Sequence, residues 1–223
     1  MQKNDKGALP FIAASLGENE SKLSSSSLTS RKRGKSALIA VGGGMRSVHG
    51  AGFLYALGKD LGLFPDILIA SSGNSGNALY FAARQYEYLK RAWTDYVYGS
   101  RFISWKRFWK VMDIDWLIDT IFKLELPLQI DDLLASPVKA FISVTEALSG
   151  KNRYLTPQEV DPYELLRASK AIPFFFGRTV ELKGKKYFDG EIGPTLHDHI
   201  AKARGEGATR IVVLDDSSAP TRV

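Results

Sequence analysis

The chain contains no cysteine, which excludes disulfides, thiolate metal sites and cysteine nucleophiles together and is compatible with a cytoplasmic location. It also lacks any apolar run of the roughly 18 residues that a membrane span requires, and no apolar signal core follows the charges at its start. A protein without a membrane span or a cleaved secretory leader is therefore expected. Positive charge is scarce where a nucleic-acid-binding face would need it. Residues 1–36 hold seven basic against three acidic side chains, so only +2 of the total +6 belongs to the remaining body. No metal ligand set and no cofactor motif is assigned.

At 223 residues with 44% apolar side chains, the chain suits one domain with a sizeable core. Residues 1–35, with Ser24 to Ser27 and the basic cluster Arg31-Lys32-Arg33-Gly34-Lys35, show no sustained period and read as a mobile leader. The cluster either attracts anionic lipid or nucleic acid, or is simply a solvated approach to the first strand. The fold is expected over residues 36–223. Strand-like runs at 37–41, 66–70, 138–145 and 210–214 alternate with helical stretches, which implies an α/β fold with a mostly parallel sheet covered on both faces. The first helix is predicted at about Ser47 to Leu61 and the second from Ser75 to about Gln85. A hairpin around Gly184-Lys185, with pieces at 178–182 and 185–188, brings Asp189 back toward the serine.

Three elements carry chemistry. The apolar run Ile67-Leu68-Ile69-Ala70 leads into Ser71-Ser72-Gly73-Asn74-Ser75-Gly76-Asn77, where a Gly-x-Ser-x turn between a strand and a helix presents Ser75 as a nucleophile. The strand Ala37 to Val41 leads into Gly42-Gly43-Gly44-Met45-Arg46, whose amides can converge on one point because no side chain shields them. Lys185-Lys186-Tyr187-Phe188-Asp189-Gly190 ends a third strand on a carboxylate. These supply a nucleophile, an oxyanion cradle and a base.

In this order the motifs resemble the patatin-like phospholipase family, whose members carry Gly-Gly-Gly-x-Arg-Gly, Gly-x-Ser-x-Gly and Asp-Gly-Gly or Asp-Gly-Ala. The matching stretches are Gly42 to Ser47, Gly73 to Asn77 and Asp189 to Glu191. Ala168-Ser169-Lys170-Ala171-Ile172-Pro173-Phe174 is similar to the family's segment ahead of the aspartate. The resemblance covers roughly residues 36–215 and implies a three-layer α/β/α fold. It also implies a serine acyl hydrolase of phospholipase A or lysophospholipase type. Ser75 and Asp189 would form its dyad, with Gly42, Gly43, Gly44 and Gly76 as the oxyanion hole and Arg46 steadying the loop or meeting a phosphate head group. The partners implied are a lipid or acyl-ester substrate and a peripheral membrane surface, with no nucleic acid and a cytoplasmic location. Relatives usually continue past the last strand, so the chain reads as a shortened version.

Three positions depart from the family pattern: Ser47, Asn77 and Glu191 stand where small residues are usual. Asn77 tolerates positive φ, whereas Glu191 would raise the pKa of Asp189 or crowd the serine. These departures keep open a catalytically silent lipid-binding module. His197 and His199 follow Asp189, leaving open an α/β-hydrolase triad, while His49 reads as structural. Gly42-x-Gly44-x-x-Ser47 approaches a dinucleotide-binding turn but lacks the acid after the next strand. Trp93, Trp105, Trp109 and Trp116, interleaved with Lys106, Arg107 and Lys110, read as a helix or helix pair. This pair would lie on lipid, line an acyl pocket or cap the sheet.

Overall fold

The computed structural model describes residues 34–108 and 110–216. The basic leader, up to Arg33, and Trp109 lie outside the described residues. The first strand, β1 (Lys35–Val41), begins two residues earlier than expected. After the glycine loop and a short 3₁₀ turn come α1 (Ser47–Tyr55), β2 (Ile67–Ala70), α2 (Gly73–Ala82) and α3 (Tyr86–Arg91). Then follow α4 (Ile114–Trp116), which continues as a wider π-type helix to Glu125, α5 (Ile130–Leu134), β3 (Lys139–Glu146), β4 (Asn152–Leu155) and α6 (Pro162–Ser169). The chain finishes with β5 (Val180–Leu182), β6 (Lys185–Asp189), α7 (Leu196–Gly205) and β7 (Ala208–Asp215).

The seven strands form one sheet in the order β5-β6-β3-β2-β1-β7, with β4 paired to β3. Neighbours β7, β1, β2 and β3 are parallel, whereas β4 and β6 run antiparallel to β3 and β5 antiparallel to β6. Alternation along β1 sorts its side chains between two cores. Leu38 and Ala40 join the large core under α1 to α6, and Ala37, Ile39 and Val41 join a smaller core with Ala203 of α7. This gives three layers, helix on sheet on helix. The whole of α2 after Gly73 is buried, and it carries no charged residue, as a helix in the middle of a layer must.

Local chemistry sets the ends of the elements. Asp161 caps α6 by accepting from the Glu164 amide at 2.9 Å, with Pro162 in the first turn. Thr195 and Asp198 form a reciprocal capping box at the start of α7. The described residues between Val97 and Asp113 are not helical as the tryptophan spacing implied. They form a loop pinned by an isolated bridge between Ile103 and Met112, and only the flanks, α3 and α4, are helices.

Strand β3 acts as a ruler for the site. Ala70 of β2 pairs with Ile142 and Asp189 of β6 pairs with Val144, so the ends of two strands distant in sequence meet two residues apart. Gly190 then passes against Ser143, where an added Cβ would strike the Ser143 carbonyl. Gly190→Ala is expected to lower unfolding stability by about 1–3 kcal/mol, as overpacking against backbone does; urea denaturation measures it.

Candidate active site

Strand β2 ends at Ala70, and two residues later Ser72 turns the chain with φ 47° and ψ −124° before α2 starts at Gly73. A positive φ at a non-glycine residue is strained by about 1–3 kcal/mol, and such strain persists only where surrounding bonds over-determine it. Here they do. The Ser72 amide donates to Ser169 Oγ at 3.1 Å, and Ser169 Oγ in turn donates to the Ser143 carbonyl of β3 at 2.9 Å. The Ser72 carbonyl accepts from Ser75 Oγ at 2.6 Å and from Lys170 Nζ at 2.7 Å.

Ser75 does not occupy the exposed turn that the motif assigned to it. It is the third residue of α2, 0% exposed, and its hydroxyl is bound to the Ser72 carbonyl and to Lys170 Nζ. The residue at the strained strand-to-helix junction is Ser72. It lines both an apolar cavity and a polar surface groove, neither of which Ser75 lines. The stretch Ala70-Ser71-Ser72-Gly73-Asn74 has the Gly-x-Ser-x-Gly spacing with Ala and Asn in place of the glycines. The signal that could have found it is the serine's distance from the end of the strand.

Asp189 is buried at 1% exposure. Its Oδ1 accepts from the Glu191 amide at 2.8 Å, and Oδ2 has no hydrogen-bond partner among the described residues. The Ser72 hydroxyl is close enough to favour the ionised carboxyl. Burial nonetheless dominates and pushes the Asp189 pKa up to about 7, opposed by the Glu191 amide, Ser72 and the Lys170 charge. The same burial lowers Lys170 to about 7.

The glycine loop abuts the junction: a Cβ on Gly42 would sit 2.5 Å from Ser72 Cβ. Two of its amides are already bound. Gly42 N–H donates to Ser71 Oγ at 3.1 Å and to Glu191 Oε1 at 3.0 Å, and Gly43 N–H donates to Ser47 Oγ at 3.2 Å. Gly44, with φ 59°, and Gly73 each open a helical turn, where amides have no intrahelical acceptor. Gly76 sits a turn further into α2, on the wall of the apolar cavity. Arg46 lines the groove, but its Nε donates to the Asp216 carbonyl at 2.8 Å and ties the loop to the end of β7. Asn74 reinforces that tie by donating to Val41 O at 2.7 Å and Asp216 Oδ2 at 2.9 Å.

The departures from the family pattern have structural roles. Ser47 is buried and bonds Gly43. Asn77 does not shape the turn; it lies inside α2, donates to Ser47 O at 2.8 Å and accepts from Trp93 Nε1 at 2.7 Å. The Glu191 side chain reaches Gly42 and Ser71, while burial raises its own pKa.

A narrow apolar cavity runs from Ser72 and Lys170 between Tyr80, Trp93, Leu117 and Phe122. The polar groove on the other side of Ser72 is lined by Gly42 to Gly44, Arg46, Asp189 and Glu191.

The histidines stand apart. His199 is buried on α7 with Nδ1 2.9 Å from the Tyr154 hydroxyl, and His197 and His49 are exposed. Nothing joins either α7 histidine to Ser72 or Asp189 among the described hydrogen bonds.

A strained serine at the carboxyl end of a parallel strand thus stands beside a glycine loop and a buried aspartate in a three-layer α/β/α fold. A family model for the patatin-like phospholipase matches residues 39–196, and the chain belongs to that family. It is 27% identical over 187 residues to the uncharacterized protein YjjU of Escherichia coli (strain K12), covering 81% of this chain and 52% of that protein. The crystal structure of VipD from Legionella pneumophila shares the fold with a TM-score of 0.54 at 12% identity, over 80% of this chain and 49% of that one. The chain thus spans about half the length of these relatives.

His199 carries a pH prediction. Burial lowers its pKa from 6.5 to about 4. A group depressed in the folded state contributes stability that is present above its unfolded pKa and lost as pH falls through the folded one. Stability should therefore fall by about 3 kcal/mol between pH 6.5 and 4 on this account. His199→Gln should flatten that slope in denaturant unfolding followed against pH.

Proposed function

We propose that the protein is a serine acyl hydrolase that cleaves lipid esters with Ser72 as nucleophile and Asp189 as base. The observation that carries this reading is the Ser72 turn: a strained hydroxyl beside an unpartnered carboxyl oxygen, opening on one side to an apolar cavity suited to an acyl chain. Asp189 takes the Ser72 proton as Oγ bonds to the ester carbonyl carbon, and the carbonyl electrons move to oxygen. The amides of Gly44 and Gly73, at the positive ends of their helical turns, hold that oxyanion. Its collapse breaks the bond to the alcohol, which leaves with the proton from Asp189. Water then gives a proton to Asp189 as it attacks the acyl-enzyme, and Ser72 recovers the proton as the acid departs.

A buried carboxyl with a pKa near neutrality suits this role, because a base acts best near the working pH. The competing reading, a silent lipid-binding module, is favoured by one observation: the Gly42 and Gly43 amides already have acceptors.

The substrate phase would be an anionic lipid surface. Trp105 is 74% exposed and Phe174 89% exposed, and Phe174 shares a groove with Arg178. Residues 98–112 carry Arg101, Lys106, Arg107 and Lys110; Arg107 pairs with Asp113 and Lys110 with Asp113 and Asp115, which leaves Arg101 and Lys106 to meet anionic head groups. No described helix is long and apolar enough to cross a membrane.

Labelling with a fluorophosphonate decides between hydrolase and silent module. Mass spectrometry should locate the adduct on Ser72, and Ser72→Ala should abolish both labelling and hydrolysis. The labelling rate should rise with an acid limb near pH 7 as Asp189 loses its proton. An adduct on Ser75, or no adduct, sinks the assignment. Trp105→Ala with Phe174→Ala should lower hydrolysis of anionic vesicles by about tenfold or more, each buried aromatic contributing 1.5–3 kcal/mol, while cleavage of p-nitrophenyl butyrate stays within twofold.

A further inference from the structure

A lysine buried inside a core is costly unless something requires it. Lys170 is 6% exposed, at the end of α6, and its Nζ donates to the Ser72 carbonyl at 2.7 Å and to Ser75 Oγ. Its neighbour Ser169 accepts from the Ser72 amide. Two consecutive residues therefore grip both peptide groups that flank the strained serine, one by each end. Ser75 completes the grip by donating to the same Ser72 carbonyl. The wall of the apolar cavity includes Lys170 beside Ser72 and Gly76, so the lysine and the nucleophile face the same space.

The charged groups acting on Asp189 are Glu191, which favours its neutral form, and Lys170, which favours its charged form. Acting on Lys170 is Asp189. The helix packed against Lys170, α2, contributes no charge. At the ends of β3, Glu146 is paired with Arg153 and Lys185, and Lys139 with Glu206. The Glu191 carboxyl faces Gly42, Ser71 and, at 4.0 Å, His199.

We propose that Lys170 is a positioning residue for the nucleophile: with Ser75 it clamps the Ser72 carbonyl in the strained turn, and its charge holds Asp189 toward the ionised form that accepts the serine proton. The inference rests on Ser72 and Asp189 being the reacting pair. The two halves of the role separate by substitution. Lys170→Gln keeps an N–H for the Ser72 carbonyl and removes the charge. Ser75→Ala keeps the charge and removes one bond of the clamp.

The test is the rate of fluorophosphonate labelling at Ser72 against pH, with thermal unfolding recorded for each variant. Lys170→Gln should move the acid limb upward by about one pH unit, because loss of a nearby opposite charge raises a carboxyl pKa by that order. Ser75→Ala should slow labelling by about fivefold, the worth of one hydrogen bond, with the limb unmoved. A purely structural lysine would change the unfolding temperature and leave the limb where it is, which overturns the proposal. An unchanged labelling rate in Ser75→Ala overturns the clamp, and this arm decides the matter if Lys170→Gln does not fold. A wild-type chain that is not labelled at Ser72 overturns the hydrolase reading and this inference together. Labelled wild type with unresponsive variants overturns only the inference.

Discussion

The backbone at Ser72 is the constraint around which the rest of the site is arranged. A positive φ at a serine is unfavourable by itself, and the chain maintains it by bonding both adjoining peptide groups to residues from α6 and α2. Those partners are in place only because β3 lies between β2 and β6 and fixes how far each strand runs. The burial of Asp189 follows from the same geometry, since the carboxyl arrives where α2, β3 and the glycine loop already exclude water. Position, strain and proton affinity are thus three results of one arrangement of strands.

Much of the fold was legible in the sequence because its parallel strands are short apolar runs bounded by glycine or polar residues. Ala37 to Val41, Ile67 to Ala70 and the run ending at Glu146 are strands within a residue or two of expectation. The glycine loop and Asp189 also stand at strand ends as expected, since each follows such a run directly. The stretch from Val97 to Asp113 was misread because its aromatic spacing imitates a helical stripe, whereas its backbone bonds run locally, as from Lys110 to Arg107.

The turn between strand and helix was misplaced for a more instructive reason. Gly73 and Gly76 around Ser75 come close to the familiar spelling, with Asn77 in place of its last glycine, but glycines do not make a turn when the strand has already ended five residues earlier. What the elbow requires is a residue forced into positive φ immediately after the strand, and Ser72 meets that condition with Ala70 and Asn74 beside it. Helix propensity then absorbs Ser75 into α2, where its hydroxyl bonds backward to a carbonyl three residues earlier. Contacts across the sheet, such as Lys170 with Ser72, leave no periodic trace in the sequence and become visible only in three dimensions.

Ser72 stands on a boundary between two media. On one side is a dry, ring-lined hollow and on the other a shallow trough of amides and carboxyls. A molecule with a greasy half and a wet half would be oriented by that difference before any single contact formed, tail inward and head outward. Solvent reaching the same atom from the trough would arrive from the side the head had vacated, so orientation of one reactant and admission of the next would follow from a single asymmetry of polarity.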